Sequence, residues 1–307
     1  MPINVCPYCR KPTDEKSRYG FHEGCFLLEF NLDELSDFTG WYITKTDKAK
    51  DSFSPKPCIG NLDATYHGAF RKYSAQLGKK YYIIKLNEPG TYNELVEVEY
   101  LTNTLAKAFG LKIPNFHIMK RKDRPAFLSE DFTKGKAKGP AIALEHLTLY
   151  LEEKSIYNAE TIIKIIDHVS QIKSDTTLFA FLCLFDSLVG NGDRHSRNIG
   201  FLRVGRKVGL SPFYDNVSEI ALMDGLLESD LDVKGAIKTG GSNEPTIKHY
   251  VQELKRLKAD RAIELFSKKI KRIDFSKLVF DSFCSDPMKT AIDRFLQKRL
   301  AEFKGAL

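Results

Sequence analysis

The chain has 307 residues, 42% of them apolar, with 21 Phe and 13 Tyr. That is enough for one large domain or two medium ones with real cores, and it excludes a disordered chain. Lys and Arg outnumber Asp and Glu by 47 to 40, a net charge of +7 spread along the sequence. Such a balance suits anionic substrates such as nucleotides but makes no nucleic-acid-binding arm, so no direct nucleic-acid partner is expected.

No run of about 18 uncharged apolar residues is present, so no membrane partner is expected. The first residues lack the apolar stretch of a secretion signal. A cytoplasmic location is the expectation, with delivery into a host cell left open.

Residues 1–30 read as a small unit of their own, holding three of the six cysteines in the pattern Cys6-x2-Cys9-x12-His22-x2-Cys25. Four soft or borderline ligands so spaced suit a tetrahedral structural zinc. Three free thiols beside a surface histidine is the other reading.

Residues 41–133 carry strand-like runs at 41–44, 81–86, 116–119 and 126–128. A single helix over 93–109 stands among them, stopped by Gly110 and followed by Pro114. Gly135, Gly139 and Pro140 mark a connection, after which residues 134–307 read as helical, at 159–171, 176–190, 250–273 and 287–303. The 176–190 segment is apolar nearly all round, which predicts a helix in the middle of a core. The expected class is α+β, with a β-rich N-lobe, a helical C-lobe and a join near 133.

The chemistry concentrates after that central helix. Asp193 and Asn198 stand with four residues between them, and Asp215 follows in Pro212-Phe213-Tyr214-Asp215. Phosphoryl transfer needs a carboxylate to accept the attacking hydroxyl's proton and hard oxygen ligands for magnesium. Asp193 fills the first need, and Asn198 with Asp215 fills the second. The spacing alone is equally met by a helix cap and a turn.

Taken in order, the motifs resemble those of the HipA-like serine/threonine kinases, toxins of bacterial toxin–antitoxin systems. The loop motif is Asn191-Gly192-Asp193-Arg194-His195-Ser196-Arg197-Asn198-Ile199-Gly200-Phe201-Leu202, followed by Pro212-Phe213-Tyr214-Asp215. Glu99, with Ala106-Lys107 and Gly110-Leu111-Lys112-Ile113-Pro114, resembles the family's helix, with Val98 where Asn is usual. Ser129-Glu130-Asp131-Phe132 resembles its hinge. The resemblance covers about residues 40–220 and suggests the short, HipT-like form without the long N-terminal subdomain.

It implies a bilobal protein-kinase-like fold, ATP and Mg²⁺ as cofactors, and Asp193 as catalytic base, with His195 orienting the loop. Asn198 and Asp215 would hold the metal. Lys85 would meet the phosphates, paired with Glu99, although Glu97 stands near enough in sequence to compete. Glu130 and Phe132 would flank the adenine. The resemblance further implies a protein substrate, in the family an aminoacyl-tRNA synthetase, and a separate antitoxin protein. The Cys/His unit is similar to a knuckle that heads some short members.

The phosphate loop departs from the family pattern. Ser52-Phe53-Ser54-Pro55-Lys56-Pro57 keeps the two serines, either of which would inherit the family's regulatory autophosphorylation. Pro55 and Pro57, however, remove backbone donors where phosphate is cradled, leaving Lys56 as a point charge. A pseudokinase, or a protein-binding module that no longer turns over ATP, is therefore the alternative, and zinc-mediated nucleic-acid binding comes third. Ser170-Gln171-Ile172-Lys173, Tyr214-Asp215-Asn216 and Lys238-Thr239-Gly240 echo serine β-lactam enzymes. Their separations are short for that fold.

Overall fold

A computed structural model describes residues 5–14, 16–43, 70–87, 94–121, 124–134, 141–153, 155–223 and 231–307. The chain divides into two compact units, residues 1–100 with 115–134 and residues 101–114 with 135–307.

The first unit is a five-stranded antiparallel sheet in the order β1-β2-β3-β5-β4. Its strands are β1 (Thr39–Ile43), β2 (Phe70–Leu77), β3 (Lys80–Asn87), β4 (Phe116–Arg121) and β5 (Arg124–Glu130), preceded by helix α1 (Glu23–Phe30). Side chains alternate along β3, so Tyr82 and Ile84 enter one core while Lys85 turns to the other face. In that core, Phe30 and Phe38 meet Tyr82 at ring-centroid distances of 6.0 and 5.8 Å. Cys6, Phe21 and Phe26 are fully buried in the same cluster, with Met119, Ala126 and Leu128. The N-terminal Cys/His segment thus shares its core with the sheet.

Helix α2 (Leu95–Phe109) runs through the division between the units, which falls after Tyr100. It ends where Gly110 takes φ +78°, a left-handed closure that an L side chain resists.

The second unit is mainly helical. It contains α3 (Ala159–Ser170), α4 (Lys173–Val189), α5 (Ile247–Arg256), α6 (Asp260–Ile270), α7 (Phe275–Phe280) and α8 (Asp286–Ala306). Asn158 caps α3 by accepting from Thr161 N, and Ser285 caps α8 by accepting from Met288 N, as short oxygen-bearing side chains do at helix starts. Helix α4 is buried on all sides from Phe179 to Val189, its rings packing with Phe109 and Phe266, and Phe266 in turn meets Phe303. A small antiparallel sheet, β6 (Ile142–His146), β7 (Gly200–Val204) and β8 (Lys207–Leu210), frames the loop after α4. A one-turn 3₁₀ helix, Leu147–Tyr150, follows β6.

The amphipathic stretch expected as one helix over 250–273 is two helices. Lys258 takes φ +58° between them, and Ala259 N bonds to Leu254 O to close the first. No Gly or Pro announces this break, and the apolar period continues across it. The single-helix expectation is corrected accordingly.

Candidate functional site

In the first unit, Lys85 on β3 lies opposite Phe127 and Lys72 in the sheet register. Its ammonium donates to Glu99 Oε1 at 2.5 Å, with side-chain exposures of 4% and 1%. Of the two acidic candidates on α2, it is Glu99 that receives the lysine. Glu97 is buried separately. Its Oε2 has no hydrogen-bond partner among the described residues, and burial pushes its carboxyl up to about 7. Glu130 Oε2 accepts from Asn115 Nδ2 at 2.8 Å and Lys80 Nζ at 3.2 Å. Phe132 is half-buried in the turn after β5, which Asp131 shapes by accepting from Thr133 N. Ser52, Ser54 and Lys56 lie outside the described residues.

In the second unit, α4 stops at Gly190, φ +71°, and the polar loop begins. The Asn198 side-chain amide donates to the Asp193 carbonyl at 2.9 Å, which closes the loop on itself. Arg194 is 1% exposed and clamps the loop from within. Its Nε and Nη2 donate to the two carboxylate oxygens of Asp186 on α4, at 2.8 and 2.9 Å. Its remaining donors reach Asn198 O, Tyr214 O and Asn216 Oδ1. Burial opposes the charge of Arg194, but the Asp186 carboxylate more than offsets that and holds the guanidinium protonated.

One cation therefore ties the Asp193 loop to the segment carrying Asp215. Asn216 extends the tie by donating to Asn103 Oδ1 on α2 at 2.9 Å. Asp215 takes φ +52°, an uncommon conformation for a non-glycine residue and one that clusters at functional sites. His195 Nε2 lies 4.0 Å from Asp193 Oδ1, while its Nδ1 accepts from Arg197 N. The histidine thus fixes the loop's turn from inside it.

Cys6, Cys9, His22 and Cys25 converge, with their ligand atoms all within 4.8 Å of one another. Cys9 Sγ is 3.4 Å and Cys25 Sγ 3.9 Å from His22 Nδ1. Ligands around a tetrahedral zinc stand about 3.5 to 3.8 Å apart. His22 Nε2 is 3.0 Å from the Pro12 carbonyl, a partner that takes the ring proton there and turns Nδ1 to the thiols. Burial opposes ionisation of Cys6, but the backbone N–H groups of Cys9, His22 and Tyr8 outweigh it and bring the thiol down to about 7. The four residues fit a structural zinc.

The HipA-like C-terminal domain model matches residues 64–274. The chain belongs to the HipA-like family. That span contains Lys85, Glu99, Asp193, Asn198 and Asp215, and it leaves outside the Cys/His cluster and the Ser52/Ser54 loop. No curated protein matches the chain by sequence.

Among solved structures, the Helicobacter pylori proinflammatory kinase CtkA aligns with TM-score 0.61 at 18% identity, over 76% of this chain and 92% of its own. Shewanella oneidensis HipA, solved with HipB and operator DNA, aligns with TM-score 0.59 at 16% identity, over 89% and 73%. The fold of this HipA-like chain is α+β and kinase-like, with a sheet-rich N-terminal part and a helical C-terminal part. Among the described residues, no helix is long and apolar enough to cross a membrane.

Arg194, Asp186, Asn216 and Asn103 were not marked by the sequence reading. One signal was available. Asp186 is the one charged residue in the nearly all-apolar 176–190 stretch, and such a charge needs a buried partner. The β-lactam-like serine has a structural role, since Ser170 Oγ donates to Ile166 O within α3.

Proposed function

We propose that this chain is an ATP- and Mg²⁺-dependent serine/threonine protein kinase of the HipA type. The observation that carries the reading is the 193–198 loop, in which the Asn198 amide donates to the Asp193 carbonyl and the buried Arg194 holds the loop to the segment of Asp215. Lys85, its charge fixed by Glu99, steadies the α- and β-phosphates. Asp193 accepts the proton of the acceptor hydroxyl as that oxygen bonds to the γ-phosphorus. The bond to the β,γ-bridging oxygen breaks, and ADP leaves.

Asn198 and Asp215 are hard oxygen donors suited to Mg²⁺, which when bound offsets phosphate charge. Glu130 and Phe132 border the adenine, and Ser52 or Ser54 takes a regulatory phosphate. Cys6, Cys9, His22 and Cys25 hold a structural zinc. By likeness to the HipA solved with HipB, a separate antitoxin protein is the expected partner.

Calorimetric titration with ATP tests this against the pseudokinase alternative, which rests on Pro55 and Pro57. Wild-type protein binds ATP in a Mg²⁺-dependent way, Lys85→Met binds at least about tenfold more weakly, and Asp215→Asn loses the Mg²⁺ dependence. Absence of any binding to the wild type favours the pseudokinase.

A further inference from the structure

Arg194 directs more of its donors at the two metal-ligand segments than at its own counter-ion. A guanidinium carries five N–H donors in a fixed plane. Two go to the Asp186 carboxylate, from Nε at 2.8 Å and Nη2 at 2.9 Å. That bidentate contact is all that a buried ion pair requires. The other three donors leave the pair. Nη1 donates to Asn198 O at 3.3 Å and to Tyr214 O at 2.7 Å, and Nη2 donates to Asn216 Oδ1 at 2.7 Å. A single nitrogen thus holds the main chain of Asn198 and the peptide that precedes Asp215.

The turn around Asp215 is closed from its far side as well. Asn216, fully buried, donates from Nδ2 to Phe213 O at 3.1 Å, so that its side chain reaches back across Asp215. Inside this bracket Asp215 sits at φ +52°. Such a conformation persists only where the surroundings over-determine it. Here the carbonyl before Asp215 and the side chain after it bond to the same guanidinium.

We propose that Arg194 is a positioning residue for the divalent metal: by gripping both segments it sets the spacing of Asn198 and Asp215, and with it the affinity for the nucleotide-associated ion. The inference rests on Asn198 and Asp215 as the Mg²⁺ ligands and adds the residue that fixes their geometry. Neutralising a buried carboxylate accounts for the two bonds to Asp186 and not for the other three. A lysine keeps the charge but has three donors on one nitrogen, too few to span Asp186 and both segments.

The test is Mn²⁺ binding at saturating ADP, followed by electron paramagnetic resonance, for wild type, Arg194→Lys and Arg194→Gln/Asp186→Asn. The double variant removes both charges together and keeps an acceptor for Asn191, which donates to Asp186 Oδ1 at 3.0 Å, so no buried ion is stranded. Melting temperature and metal-free ADP affinity report on the fold. Both variants fold and keep metal-free ADP affinity within about twofold, while their Mn²⁺ affinity falls by about tenfold or more. If the double variant does not fold, Arg194→Lys decides.

Mn²⁺ affinity within about twofold of wild type in a folded variant overturns the positioning role and leaves Arg194 a core ion pair. An equal loss of metal-free ADP affinity overturns it too, since the effect is then on the fold and not on the metal. A wild type that binds no Mn²⁺ removes the metal-ligand reading of Asn198 and Asp215 and this inference together.

Discussion

A lysine and a glutamate buried to within a few per cent of completion are a poor way to gain stability. Removing two charges from water costs several kcal/mol each, and their attraction only roughly repays it. The Lys85–Glu99 pair is therefore no strong source of stability, and its energetics are testable. Lys85→Met or Glu99→Leu alone strands a buried charge and destabilises by about 3 to 5 kcal/mol, whereas the double variant recovers most of that loss. Denaturant titration of all four proteins measures the cycle, and additive losses contradict it.

Glu97, two residues away, gives the opposite case of a buried carboxyl with an unpartnered oxygen. Burial raises it from the usual 4.5 to about 7. Between those values the folded chain keeps a proton that the unfolded chain has released, so stability falls as pH rises through the window and levels above it. Glu97→Gln thus stabilises by up to about 3 kcal/mol at pH 8 and by little at pH 4.5, as melting temperatures at the two values will show.

The motif residues were legible because Asp193, Asn198 and Asp215 stand close together in sequence, in an order and spacing that resemble a family pattern. Arg194 was not. A loop arginine reads as a solvated cation until Asp186, Asn216 and two carbonyls converge on it in space.

Among the elements, those that carry their own apolar period stood out in the sequence. The expected 93–109 helix is Leu95–Phe109, the expected 81–86 strand is Lys80–Asn87, and the all-apolar 176–190 segment is Lys173–Val189. Strands β2 and β6 were missed. They read FRKYSAQL and IALEH, too polar to announce themselves, and exist because β3 and β7 supply their hydrogen-bond ladders.

The Cys/His segment shows what packing adds to a legible motif. Its Phe21, Phe26 and Phe30 share a core with Tyr82 and Ile84, the neighbours of Lys85 along β3. Metal binding in such modules is folding energy, so loss of the ion propagates into that core. Metal analysis should find one zinc per chain. Chelation or Cys9→Ser should lower the melting temperature by about 5 °C or more and speed amide exchange on β3. Stoichiometric absence of zinc with an unchanged melting curve contradicts this.

At the scale of the whole molecule, each unit holds its own buried ion pair. The sheet-rich unit pairs Lys85 with Glu99, and the helical unit pairs Arg194 with Asp186 beneath the 193–198 loop. The family span of 64–274 includes both arrangements but not the proline-containing loop, the feature that argues for loss of ATP turnover. Transfer of phosphate tests the two readings more directly than ATP binding does. The direct measurement is mass spectrometry of the purified protein after incubation with ATP and Mg²⁺, beside Asp193→Ala. Phosphate on Ser52 or Ser54 in the wild type and none in the variant is the result predicted here. A wild type that stays unmodified and fails to bind ATP contradicts the catalytic account.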